Sequence, residues 1–204
     1  FQAEDGIRDD WLRLVGSEMC IRDRIKGVEH FPERGPALLV CNHQSLADAL
    51  VVQAACRRPI RFLMYYTIFK IPVLNFIFRS MKAIPVAPHK LAPEVLQNAY
   101  DETAKALSEG QLVCIFPEGA ITIDGTIGEF RDGVSKILER TPVPVIPMAL
   151  SGLRGLFSYN PKRKWFSRLL GPVYLNVGEP IEPQDITADG LRETVIALQQ
   201  RARP

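Results

Sequence analysis

No apolar run in this 204-residue chain reaches 18 unbroken residues, so the sequence offers no clear membrane-crossing helix. The nearest approach is 62–78 (FLMYYTIFKIPVLNFIF), which Lys70, Pro72 and Asn75 interrupt. That pattern is expected to lie on or dip into a bilayer rather than span one. The first residues carry no apolar stretch of the secretory kind, so this segment is not expected to be a secretory signal. A G-x-S-x-G elbow is missing, and with it the usual signature of a serine nucleophile. The four cysteines, Cys20, Cys41, Cys56 and Cys114, form neither a C-x-x-C pair nor a regular framework. Cys41 and Cys114 sit inside apolar strand-like runs, where a reduced thiol fills core space, a usage that leans toward a cytosolic setting. The net charge of +2 is too small to argue for nucleic acid as a partner. Internal repeats and low-complexity tracts are missing as well.

What remains has the composition of a globular protein, 47% hydrophobic and 24% charged. The length suits one domain with a substantial core. Residues 1–24 read differently from the rest, with scattered charges and weak periodicity. Their strings QAEDGIRD and EMCIRDR resemble translated sequencing-adapter read-through, so this segment is expected to be a non-native or disordered leader. An amphipathic N-terminal helix is the alternative. The domain proper is then 25–204, and a native upstream segment is expected to be missing.

From Ile25 onward, short apolar strands alternate with helical stretches. Ala37 to Cys41 (ALLVC) reads as a strand buried on both faces. A helix is expected from Ser45 to Ala55, with Ser45 at its N-cap and Asp48 three residues in. Arg61 to Tyr65 and Ala83 to Val86 are further strands. Pro93 to Glu109 is helical, opened by Pro93 and closed by Gly110. Gln111 to Phe116, Val143 to Leu150 and Tyr174 to Gly178 are strands, and Arg131 to Glu139 and Leu191 to Arg201 are helices. This alternation predicts an α/β fold, a mostly parallel mixed sheet flanked by helices.

Two polar constellations stand at the ends of two buried strands. The first is Asn42-His43-Gln44-Ser45-Leu46-Ala47-Asp48, directly after ALLVC. Open α/β sheets bind ligands at the carboxyl ends of their strands. An imidazole there can take a proton from an alcohol, and a carboxylate on its other nitrogen would hold the tautomer. Asp48 can equally serve only as a helix cap, or do both jobs, since a carboxylate has two oxygens. The second constellation is Phe116-Pro117-Glu118-Gly119, after QLVCIF. Gly119 permits close approach, and free backbone amides beside it would suit an anion or oxyanion. Glu118 can accept from a polyol or brace the histidine loop. With no enzyme nucleophile signalled, the substrate hydroxyl becomes the nucleophile, and the chemistry points to acyl transfer. A condensation-type H-H-x3-D-G motif is excluded by Asn42 before His43 and Ala49 after Asp48.

In this order and spacing, N-H-x4-D followed by F-P-E-G resembles the PlsC-like glycerolipid acyltransferases, over most of Gly27 to about Pro183. The proline-rich VPVIPMAL, centred on Pro147, is similar to that family's fourth block. Two arginines expected from the resemblance are replaced. Pro88 ends Lys82-Ala83-Ile84-Pro85-Val86-Ala87-Pro88, and Ala120-Ile121-Thr122 follows the F-P-E-G. Together with Thr122, Gly125, Phe130, Asp132 and Gly133, these departures resemble the acyltransferase domains of 2-acylglycerophosphoethanolamine acyltransferase/acyl-ACP synthetases and of transporter fusions.

The resemblance implies a glycerol-3-phosphate acyltransferase-like fold and transfer of a fatty acyl group to a lysophospholipid hydroxyl, with 1-acylglycerol 3-phosphate as the alternative acceptor. A non-catalytic lipid-binding module is the reading outside enzymes. The expected donor is acyl-CoA or acyl carrier protein, with no metal or other cofactor. His43 and Asp48 would be catalytic, and Glu118, Gly119, Thr122, Lys82 and Arg131 would bind substrate. Lys82 and Arg131 are preferred over Arg79, Lys90 and Lys136 as replacement cations because they flank the site blocks. His30 and His89 read as surface residues. Residues 161–168 (PKRKWFSR) interleave bases with aromatics and suit docking on the cytoplasmic face of a membrane, with a fused transporter domain as a further expected neighbour.

Overall fold

The computed structural model describes residues 24–70, 72–122, 125–153 and 172–201. Seven strands form one sheet: β1 (Ile25–Lys26), β2 (Ala37–Cys41), β3 (Ile60–Tyr65), β4 (Ile84–Val86), β5 (Leu112–Ile115), β6 (Val145–Ser151) and β7 (Tyr174–Val177). Their spatial order is β1-β7-β6-β2-β5-β3-β4. β6, β2, β5, β3 and β4 run parallel, whereas β7 pairs antiparallel with β6 and carries β1 beside it. The predicted mixed, mostly parallel sheet is what the chain forms.

Strand β2 lies at the centre, and all five of its residues are buried. Helices cover both faces, which is why ALLVC carries no polar alternation. On one face Leu39, Cys41, Phe62, Cys114 and Met148 meet Ala49 and Val52 of α1 (Asp48–Ala55) and Phe78 of α2 (Pro72–Ser80). On the other, Leu38, Val40, Val113 and Val145 meet α3 (Pro93–Ser108) and α4 (Gly133–Arg140) through Ala106, Leu107, Val134 and Ile137. The closing helix α5 (Ala188–Arg201) adds Val195 and Leu198 against Ala149. Each fully buried Val, Leu, Ile, Phe or Met among them contributes about 1.5–3 kcal/mol by leaving water. Helix α3 starts at Pro93 and ends on Gly110 at φ +77°, with the Gly110 and Gln111 amides donating to the Leu107 and Ala106 carbonyls. That closure needs the left-handed conformation glycine adopts without strain.

The apolar run 62–78 is not one element. Its first four residues are the end of β3, where Phe62, Leu63 and Met64 are core. A 3-10 turn (Tyr66–Lys70) follows, and then α2. With nine residues, α2 is about 14 Å long, against the ~30 Å of a hydrocarbon core. Among the described residues no helix is long and apolar enough to cross a membrane. The expectation of a single bilayer-dipping segment is therefore corrected: the run is divided among strand, turn and helix, and Phe62, Leu63 and Met64 belong to the sheet interior. The leader, residue 24 aside, and the basic-aromatic stretch 161–168 lie outside the described residues.

Candidate active site

Register places the two polar constellations side by side. Val40 of β2 pairs with Ile115 of β5, so the chain leaves the sheet at neighbouring points after Cys41 and after Ile115. His43 and Glu118, 75 residues apart in sequence, meet there: the His43 amide donates to Glu118 Oε1 at 2.8 Å. Asn42 fixes the other side of the loop. Its amide accepts from the Leu150 N–H at 2.7 Å and donates to the Leu150 carbonyl at 3.1 Å, so a side chain continues the β2–β6 ladder.

Asp48 is fully buried and opens α1, at its first helical position rather than its third, because the helix begins two residues later in the chain than expected. A tight turn occupies the intervening residues, with Ser45 Oγ accepting the Ala47 N–H. Asp48 Oδ2 faces His43 Nδ1 at 2.8 Å and accepts the amides of Gln44 at 2.6 Å and Ser45 at 2.9 Å. The brace on the turn and the brace on the imidazole thus share one oxygen. Oδ1 has no partner, and neither does either end of the buried Gln44 amide. Because a carboxylate only accepts, the proton of neutral His43 sits on Nδ1 and leaves Nε2 as the basic nitrogen. The ring stacks on Phe116 with centroids 4.4 Å apart and planes at 21°. One face is therefore packed, one nitrogen is tied, and 17% of the side chain remains open to solvent.

Glu118 is 8% exposed and wholly committed to the protein. Its Oε2 accepts the Thr122 hydroxyl at 2.6 Å and the Gly128 N–H at 2.9 Å, while Oε1 holds His43. Thr122 also donates its own N–H to the His43 carbonyl at 2.9 Å. The histidine peptide is clamped on both sides. Sequence reading offered a polyol acceptor or a brace, and these contacts are those of a brace. Thr122 likewise spends its hydroxyl on Glu118. The Gly119 amide donates to the Phe116 carbonyl at 3.1 Å, so it is not the free anion-binding group expected. Gly119 is needed for another reason. It has φ +66°, and a Cβ there would lie 2.8 Å from the Arg131 guanidinium carbon. Arg131, itself exposed, is held by its N–H on the Pro117 carbonyl at 3.0 Å and lays its cation over this turn.

Lys82 is not brought into the cluster. It precedes β4, and its carbonyl accepts from Arg61 Nε, level with Val113 and Leu38 near the beginnings of their strands. His43 lies five residues beyond that level, about 16 Å along a strand. Adjacency in sequence to a site block is a poor guide in a parallel sheet, where each crossover starts at one end and finishes at the other. His89 is exposed as expected, whereas His30 is half-buried with Nδ1 2.9 Å from the Val177 carbonyl. Cys41 and Cys114 are buried, as read from sequence. Burial, with the neighbouring acidic groups, pushes both thiols well above the ordinary range, so neither is a nucleophile.

Comparison with known proteins gives this arrangement a family. Residues 22–151 match the family model described as Acyltransferase. The chain belongs to that family. Its relatives place it among the PlsC-like glycerolipid acyltransferases. It is 30% identical over 129 residues to the 1-acyl-sn-glycerol-3-phosphate acyltransferase BAT2, chloroplastic, of Brassica napus, covering 63% of this chain and 37% of that one. It is 26% identical to the 1-acyl-sn-glycerol-3-phosphate acyltransferase of Pseudomonas aeruginosa, covering 94% and 69% of the two chains. The chain spans little more than a third of the length of the plant relatives it matches. In fold it is similar to the crystal structure of the 1-acyl-sn-glycerophosphate (LPA) acyltransferase PlsC from Thermotoga maritima, with a TM-score of 0.68 at 23% identity over 99% of this chain and 82% of that one.

Proposed function

We propose that this acyltransferase moves a fatty acyl group from a thioester to the free hydroxyl of a 1-acylglycerol 3-phosphate. The observation that carries the reading is the imidazole of His43, tied through Nδ1 to a buried carboxylate, stacked on Phe116 and open at its far edge. Nε2 removes the hydroxyl proton as the oxygen attacks the thioester carbonyl. The new ester C–O bond forms, the C–S bond breaks, and the leaving thiolate of CoA or acyl carrier protein takes the proton from His43. Asp48 stabilises the imidazolium in between. Glu118 and Thr122 hold the histidine peptide and do not touch the lipid.

The choice of acceptor is supported by the names of the curated relatives, and by Arg131, an exposed cation on the turn beside the base. A lysophospholipid with an esterified phosphate is the second reading. Pro88 and Ala120-Ile121, standing where the resemblance led to arginines, favour it, because a phosphodiester needs less cationic clamping than a phosphomonoester. The acceptor is a lipid, so the protein works at a membrane surface, on the cytoplasmic face where thioester donors are made. Phe76 of α2, 75% exposed, is the sort of side chain such contact would cover. A thiol-release assay over a lysolipid panel, run with acyl-CoA and with acyl carrier protein, tests the proposal. Release with 1-acylglycerol 3-phosphate that vanishes in His43→Ala supports it. Near-normal turnover in that variant overturns it.

A further inference from the structure

The closing helix α5 lies beyond the part of the chain matched by the family, yet it carries a cation whose hydrogen bonds lead to the site. Arg192, half-buried on α5, donates through Nε to the Gly128 carbonyl at 2.8 Å and through Nη2 to the Ile127 carbonyl at 2.9 Å. A planar guanidinium suits two consecutive carbonyls in a way that a single ammonium does not. The loop it grips, 125–131, has no helix or strand hydrogen bonding to hold it. At its next atom along, the Gly128 N–H donates to Glu118 Oε2, whose partner oxygen holds the His43 amide. The helix end of this chain is fixed too: Val195 and Leu198 are buried in a cluster with Ile127 and Ala149.

We propose that Arg192 is a positioning residue for acyl transfer, acting from α5 through the Gly128 peptide and Glu118 to set where His43 presents Nε2. This rests on the reading of His43 as the base. The hydrogen bonds of Arg192 go to the loop carbonyls and not to the imidazole. Its effect passes through Glu118, which is buried and cannot replace a lost donor with water. When Gly128 shifts, the carboxylate follows it or gives up a bond, and either event moves the His43 peptide.

Arg192→Ala, Arg192→Lys and Arg140→Ala are compared with wild type by thiol release and by imidazole ¹H–¹⁵N spectra. Arg140 is a control: it is an exposed arginine at the end of α4 that pairs with Asp101 and makes no bond to the 125–131 loop. Arg192→Ala is expected to lower kcat about 10- to 100-fold while KM changes less than about twofold, as displacement of a catalytic group does. Arg192→Lys recovers part of the loss, and Arg140→Ala leaves kcat at wild type. The chain has three histidines, so their ring signals can be followed one by one. The His43 signals move in Arg192→Ala, while those of His30 and His89 stay in place. Should Arg192→Ala fail to fold, Arg192→Lys carries the same spectral comparison. Wild type that releases no thiol would defeat the proposed function, and the spectra would still judge the clamp. A folded Arg192 variant whose His43 signals sit at their wild-type positions overturns the inference.

Discussion

Replacing Glu118 by glutamine separates a carboxylate that braces from one that reads substrate. In the wild type, Oε1 faces the His43 N–H, and Oε2 faces the Thr122 hydroxyl and the Gly128 N–H. A carboxamide has one oxygen and one NH2 group. If its oxygen takes the Oε2 place, the NH2 meets the His43 N–H; if it takes the Oε1 place, the NH2 meets the Gly128 N–H. Thr122 can turn its hydroxyl to accept, but a backbone N–H cannot. Either orientation strands one buried donor, at about 1–3 kcal/mol, and weakens the surviving bonds from charge-assisted to neutral, at about 1 kcal/mol more. Relief from burying a charge offsets a part, leaving a loss of about 1–3 kcal/mol. For a domain of this size, that lowers Tm by about 2–12 °C. Thermal unfolding and thiol-release kinetics on Glu118→Gln provide the check. The expected result is a lower Tm with kcat reduced, because the histidine loop loses its anchor. A Tm unchanged within a degree, with KM for the lysolipid raised, would refute the brace and return Glu118 to the substrate.

His43→Ala should lower kcat by at least about 100-fold in the thiol-release assay, the scale of a general base. Asp48→Asn keeps an acceptor for the Gln44 and Ser45 amides but removes the charge opposite the imidazolium, and should cost about 10²- to 10⁴-fold in kcat with far less loss of Tm than Asp48→Ala. Arg131→Ala should raise KM for 1-acylglycerol 3-phosphate about tenfold while sparing kcat, since one charge-assisted contact is worth about 1.5 kcal/mol. Burial raises the thiols of Cys41, Cys56 and Cys114 above the ordinary value near 9. The unfolded chain therefore ionises first, and stability that is intact below that pH declines as pH rises beyond it, by about 1.4 kcal/mol per pH unit for each thiol. Urea midpoints at pH 8 and pH 10 measure this, and the decline should be shallower in Cys114→Val.

Local pattern carried the architecture well. The buried strands betrayed themselves by unbroken apolar runs, and α3 by its opening proline and closing glycine. The imidazole–carboxylate pair was legible because His43 and Asp48 are five residues apart on one turn, so short-range geometry alone brings them together. The reading failed where distance in sequence was taken as distance in space. Lys82 borders a site block in the chain, but it stands at the wrong end of β4 for the site. The run 62–78 has the composition of an interfacial segment, yet sheet packing claims Phe62, Leu63 and Met64. Asn42 pairing with Leu150, and Gly128 with Arg192, join residues 64 to 108 positions apart that no periodicity marks.

Composition and hydrophobic rhythm thus sufficed to specify an α/β sheet with an imidazole–carboxylate pair at a strand end, since both depend on neighbours along the chain. The commitment of Glu118 and Thr122 to the protein, and the reach of α5 to the loop that holds Glu118, were decided only by tertiary structure. A carboxylate in a turn looks the same in sequence whether it faces solvent or three donors. Only the register of β2 against β5, and the seating of α5 on β6, settle which of those it meets.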